Sequence, residues 1–252
     1  MIGRLSAALV GGLALCVVAA SAQAVPAIGQ KAPAFTGKDA AGKTISLGDY
    51  AGKTVVLEWT NHECPFVKKH YESGNMQSLQ KEMTGKGVVW LTVVSSAPGK
   101  QGHVSAAQAN ELTRSRDAAP SDVILDEDGK IGMAYGATAT PQMVVITPKQ
   151  TVAYMGAIDS IPSAKPSDIP KADNYVRAAY DAVAAGKPVQ VAQTKAYGCA
   201  VKYQSEGESG RFRGRRARRA GRPGTRTAIT RNRLQAPGFL GITPPAAAVA
   251  QW

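Results

Sequence analysis

The chain has 252 residues, of which 44% are apolar, enough for one ordinary core plus appendages. That excludes a wholly disordered chain and a mini-protein that needs disulfides to fold. The formal charge is +12, but ten arginines against two glutamates after Gln204 supply +8 of it and leave only +4 elsewhere. The basicity belongs to a tail and argues against a nucleic-acid-binding fold.

Residues 1–24 read as a signal peptide. Arg4 gives the positive start, residues 9–20 are apolar, and Ala22-Gln23-Ala24 has the small-x-small form of a cleavage site. The apolar run is short for a spanning helix, so no stable membrane insertion is expected after cleavage, and the mature protein is expected to be periplasmic or secreted. Cys16 would leave with the signal; Leu15 before it is too bulky for a lipoprotein site. Cys64 and Cys199 remain.

A turn at Asp39-Ala40-Ala41-Gly42-Lys43 leads to a short edge strand at 44–47. Val55-Val56-Leu57-Glu58-Trp59 reads as a buried strand, followed by the polar turn Thr60-Asn61-His62-Glu63 and then Cys64-Pro65. Proline suits the first turn of a helix, so Cys64 is expected at a helix N-terminus, where free N–H groups favour the thiolate. The competing reading is a buried structural cysteine. The helix should run to about Ser73 and break at Gly74, with Met76, Leu79 and Met83 forming a second stripe.

Residues 88–94 form a second buried strand, which implies a right-handed parallel crossover. A helix over 105–116 opens on Ser105 as N-cap, and residues 123–125 form a third strand. Asp126-Glu127-Asp128-Gly129 reads as a solvated turn rather than a cation site. A short helix at 131–135 precedes Thr138-Ala139-Thr140-Pro141, the hairpin 144–155, a loop over 156–170 and a helix over 174–185. Tyr197-Gly198-Cys199 is a second motif, and Cys199 is a candidate resolving partner for Cys64 if their Cα atoms come within about 7 Å. Use of Cys199 between molecules is the alternative. Residues 204–252, with Arg211-Phe212-Arg213-Gly214-Arg215-Arg216, are expected to be a disordered tail.

The sequence Pro33-x-Phe35, then Gly42-Lys43-x-Ile45-x-Leu47-x-x-Tyr50-x-Gly52-Lys53, then a strand and Cys64-Pro65, resembles the redoxin, alkyl hydroperoxide reductase-like branch of the thioredoxin superfamily. Asn61-His62-Glu63-Cys64-Pro65-Phe66-Val67 is similar to an exported bacterial group with an Asn-His-x-Cys-Pro-aromatic-Val motif. The resemblance covers residues 26–203 and implies an α/β thioredoxin-like fold, a central mixed sheet flanked by helices. It implies a thiol oxidoreductase with catalytic Cys64, Cys199, Glu58 and Asn61, and a substrate site at Pro65, Phe66, Thr140 and Pro141. Pro141 matches the family's cis-proline, which would present the backbone of Ala139 and Thr140 to an incoming thiol or peptide.

Val67 stands where a Cys-x-x-Cys site has its second thiol, so resolution must come from elsewhere. In the peroxiredoxins of the family a threonine stands where this chain has Asn61, and their supporting arginine has no clear counterpart beyond Arg114 and Arg116. Glu58 has the spacing of a buried proton-shuttling acid; a solvated edge position is the alternative. The implied partners are a thiol or disulfide protein, or a hydroperoxide; no cofactor, resident metal or nucleic acid is expected. A copper-carrying role through His62, Cys64 and His70, or a non-catalytic redox-sensing one, is the alternative function.

Overall fold

The computed structural model describes residues 25–204; the expected signal peptide and Arg-rich tail lie outside the described residues. Seven strands form one mixed sheet in the order β2-β1-β5-β4-β3-β7-β8. The edge hairpin pairs β1 (Thr36–Asp39) with β2 (Thr44–Ser46), and β1 then lies antiparallel to β5 (Asp122–Leu125). The centre is β3 (Val55–Trp59), parallel to β4 (Val89–Val94) and antiparallel to β7 (Gln142–Ile146). β4 runs parallel to β5, and β8 (Val152–Gly156) closes the far edge against β7.

The strand sequences explain this order. β3, β4, β7 and β8 are buried at every position, as near-continuous apolar runs must be when both faces are covered. Alternation divides β3 between two cores. Val55, Leu57 and Trp59 pack with Leu91, Val93, Val144 and Ile146. Val56 packs on the other face with Val67, Met76, Leu79, Met83 and Trp90. Fully burying a Val or Leu side chain contributes about 1.5–3 kcal/mol, so the sheet's two faces supply most of the driving force.

The second face is roofed by α1 (Pro65–Glu72) and α2 (Asn75–Gly85), with Val176 and Ala179 of α5 (Tyr175–Ala184) beside them. The expected break falls at Gly74, whose φ of +75° is left-handed backbone that glycine adopts at little cost. α3 (Ala106–Ser115) opens with a capping box between Ser105 and Gln108. On the first face lies α4 (Lys130–Ala134), with Ile131 and Tyr135 against Trp59.

Two segments differ from their sequence reading. The 126–129 turn is not wholly solvated: Asp126 is buried and accepts from Ser95 Oγ (2.6 Å), Ile131 N (3.0 Å) and Gly132 N (2.8 Å). Its carboxylate satisfies the free N–H groups that open α4, a use that composition does not reveal. The 156–170 loop runs into a 3-10 helix, Pro166–Lys171. Among the described residues, no helix is long and apolar enough to cross a membrane.

Candidate functional site

Cys64 is the N-cap of α1, with Pro65 in the first turn. Its carbonyl accepts from Val67 and Lys68 N–H at 3.0 and 2.9 Å. Its sulfur has no exposure to solvent. Across from it, the Thr140–Pro141 peptide bond is cis, and the Thr140 carbonyl lies 3.2 Å from Cys64 Sγ.

The chain's own C-terminal strap closes this site. β6 (Ala139–Thr140) pairs antiparallel with β9 (Cys199–Ala200), placing Thr140 opposite Cys199. The Cys199 N–H points at Cys64 Sγ, 3.4 Å away. The backbone of Ala139 and Thr140, expected to be presented to an incoming thiol or peptide, is here paired with β9 of the same chain. Phe66, expected to line the substrate site, packs edge-to-face on Tyr197 of the strap at 5.8 Å. Pro65 stays exposed beside it.

Burial raises the Cys64 pKa, but hydrogen bonds from the Cys199 thiol and from the Val67 and Cys199 N–H groups outweigh it and bring the thiol below its ordinary value. The Thr140 carbonyl pulls the other way, since it can only accept from the protonated form. The Thr140 hydroxyl faces the Cys199 carbonyl at 3.3 Å and lowers the Cys64 pKa least of these donors; the Cys199 thiol and the two N–H groups contribute more. Cys199 moves oppositely, to about 11, through burial and the neighbouring Cys64 sulfur. Of the two sulfurs, Cys64 is the one favoured as thiolate, and Cys199 is favoured as thiol.

Gly198 makes this approach possible. Its φ is +132°, and a Cβ there would run into the Thr140 carbonyl oxygen. Gly198→Ala should push the strap off β6 and speed alkylation of Cys64 by iodoacetamide severalfold at fixed pH. An unchanged rate would mean that the strap does not gate the sulfur.

Glu58 is fully buried, not on a solvated edge. Four side chains donate to it: Tyr71 OH (2.8 Å), Trp90 Nε1 (2.9 Å), Gln80 Nε2 (3.1 Å) and Thr92 Oγ1 (3.1 Å). None of these is Cys64. Burial raises its pKa even against the four donors. A carboxyl whose folded pKa exceeds its unfolded one binds more protons folded, so its contribution is fully present below the ordinary value of 4.5 and is lost as pH rises toward the folded one. The stability advantage of wild type over Glu58→Gln should therefore shrink with rising pH in denaturant titrations. An advantage that grows with pH would show that Glu58 is held ionised.

Asn61 is buried but is not aimed at the sulfur. Its Oδ1 accepts from Glu63 N at 2.9 Å and its carbonyl from Cys64 N at 3.0 Å, so it shapes the turn before the helix. Arg116 donates to the His62 carbonyl at 3.3 Å, and Arg114 pairs with Glu111 on the surface. His62, Cys64 and His70 are not gathered: Asn75 holds His70 Nδ1 at 2.8 Å, and no group of three or more metal-ligating side chains occurs among the described residues.

Sequence reasoning missed what fastens the strap. Lys69, buried on α1, pairs with Asp159 at 3.1 Å and donates to the Ile161 carbonyl at 3.3 Å. Asp159 also accepts from Tyr197 OH, two residues before Cys199. A lysine and an aspartate 90 positions apart carry no shared signal, and Lys69, two residues from both Val67 and Tyr71, falls off the helical stripe those two form.

The fold has relatives of known structure. A hypothetical protein from Sinorhizobium meliloti 1021 is 21% identical, with a TM-score of 0.60 over 71% of this chain and 96% of its own. An uncharacterized conserved protein from Geobacillus kaustophilus is 24% identical, with a TM-score of 0.60 over 71% and 94%. These likenesses are of fold. No curated protein matches the sequence. The family model described as "AhpC/TSA family" matches residues 28–155, half of the chain, a span that holds β3, the Cys64 helix and cis-Pro141. On that match the chain belongs to the AhpC/TSA family of thiol-dependent redox proteins.

Proposed function

We propose that the protein is an exported thiol–disulfide oxidoreductase, with Cys64 as the attacking sulfur and Cys199 as the resolving one. The observation that carries this reading is the hydrogen bond from Cys199 N–H to Cys64 Sγ across 135 positions of sequence. Export rests on the signal-like segment at residues 1–24.

The Cys64 thiolate attacks one sulfur of a substrate disulfide, and the other sulfur leaves as thiolate. Cys199, once deprotonated, attacks the Cys64 sulfur of the mixed disulfide. The substrate's second thiolate departs, and the protein holds a Cys64–Cys199 disulfide. An external dithiol returns both cysteines to thiols and leaves as a disulfide.

The polar neighbours of the Cys64 sulfur favour a polypeptide substrate. They are the Thr140 carbonyl and a main-chain N–H, groups that recognise an extended strand. β9 exemplifies such an occupant, an extended segment with a cysteine beside Cys64. A substrate strand pairs with β6 once the strap lifts.

Peroxide reduction is the second reading, and family membership favours it. There the thiolate takes one oxygen from a hydroperoxide, releasing an alcohol, and the sulfenic acid condenses with Cys199 to give a disulfide and water. Against it, Asn61 spends its side-chain oxygen on Glu63 N–H. The two separate in one experiment: consumption of a disulfide-bonded peptide and of an organic hydroperoxide, each with excess dithiol. Peptide turnover far above hydroperoxide turnover is expected; the reverse order overturns disulfide exchange.

A further inference from the structure

We propose a second ligand site: a cleft between the Asn61 turn and α3 that binds a small monocarboxylate with a compact apolar body. Cys64 does not line it, and the inference does not depend on the redox reading. The cleft is half open, with about 450 Å³ of empty space when the open solvent at its mouth is included. Its walls are mostly hydrocarbon, from Val94, Val104, Leu112 and Val123 among others.

Its polar groups divide into those already engaged and those without a partner. Tyr71 and Thr92 donate to Glu58, and the Thr113 hydroxyl donates to the Ala109 carbonyl. Thr60 Oγ1, Asn61 Nδ2 and His62 Nδ1, in contrast, are buried and have no hydrogen-bond partner. All three residues line this cleft. Asn61 is only 1% exposed, and its Oδ1 is fixed on Glu63 N–H, so Nδ2 is the amide atom left without a partner. Gly102 closes over that side chain at a φ of +83°, where any Cβ would collide with the amide. Buried polar atoms are normally satisfied, so three unpartnered ones on residues lining one cleft point to a ligand.

The charge selects the ligand's sign. Arg116 is the one formally charged residue in the lining, because burial lowers the His62 pKa and keeps that ring neutral. Its guanidinium lies over the Tyr71 ring at 5.0 Å and donates to the His62 carbonyl; no carboxylate partners it among the described residues. A guanidinium and an unpartnered amide NH2 among the residues lining one cleft suit a planar carboxylate. The apolar walls reject a strongly hydrated anion such as phosphate and accept a hydrocarbon body.

The test uses the full chain, with butyrate and benzoate as probes and benzyl alcohol as the uncharged match, followed by heteronuclear NMR. Saturable shifts of the Asn61, His62 and Leu112 amides are expected for the carboxylates, with the alcohol at least tenfold weaker. Arg116→Gln should weaken benzoate about tenfold or more while leaving the affinity for benzyl alcohol unchanged. Leu112→Trp, which fills the cleft, should abolish binding and provides the test if Arg116→Gln does not fold. Absence of saturation up to the solubility limit, or benzoate binding unaffected by these variants, overturns the proposal.

Discussion

Cys199→Ser is expected to convert the protein from a catalyst into a trap. The substitution keeps the backbone N–H that reaches Cys64 Sγ and leaves the main-chain β6–β9 pairing in place. What it removes is the sulfur that would release the mixed disulfide. Attack by Cys64 should continue, while turnover of a peptide disulfide falls by about two orders of magnitude or more. Intact-mass measurement under non-reducing conditions should find one substrate thiol bound per chain, on Cys64. Cys64→Ser should lose both the adduct and the turnover. If Cys199→Ser turned over at the wild-type rate, resolution would come from a small thiol or another protein, and the strap's cysteine would have no part in it.

Lys69→Met is expected to cost about 3–5 kcal/mol of stability, the usual cost of breaking a buried ion pair by removing one partner. The Lys69 and Asp159 side chains are 0% and 5% exposed, so solvent does little to screen the loss. Asp159 would keep Tyr197 OH and Ile161 N as donors but would lose its cation. Lys69→Met combined with Asp159→Leu should recover much of the loss, since no unpaired charge is left in the interior. Denaturant midpoints at fixed pH measure both. Because Tyr197 hangs on the same carboxylate, the single variant should also expose Cys64 to faster alkylation. His70, 3.7 Å from Asp159, adds acid sensitivity. Burial lowers its pKa to about 4, so its contribution is lost as pH falls from the ordinary 6.5 through that value.

These two experiments fall on the parts of the molecule that differ most in how legible they were. The central sheet could be read from the sequence because β3, β4 and β7 are unbroken apolar runs with clear turns between them. Gly74, Ser105 and Asn174 marked helix starts, since capping is a local matter of two or three residues. The seat of Cys64 on a helix N-terminus was equally local. Long-range consequences were not legible. Nothing near Glu58 announces that Tyr71, Gln80, Trp90 and Thr92 converge on it from two helices and a neighbouring strand. Nor does the Tyr197-Gly198-Cys199 motif announce that β9 will fill the edge beside cis-Pro141. That pairing depends on Gly198 passing the Thr140 carbonyl and on Asp159 holding Tyr197, contacts set only once the chain has closed.

The geometry makes one demand above the others, that the two sulfurs act on each other. The direct measurement is peptide mapping by mass spectrometry of the protein equilibrated in a glutathione redox buffer, then quenched with acid and alkylated. The account expects a Cys64–Cys199 disulfide within one chain, formed at the expense of both free thiols together. Cys64 recovered only as a glutathione adduct, or linked to Cys199 of another chain, while its own Cys199 stays a free thiol, would contradict it.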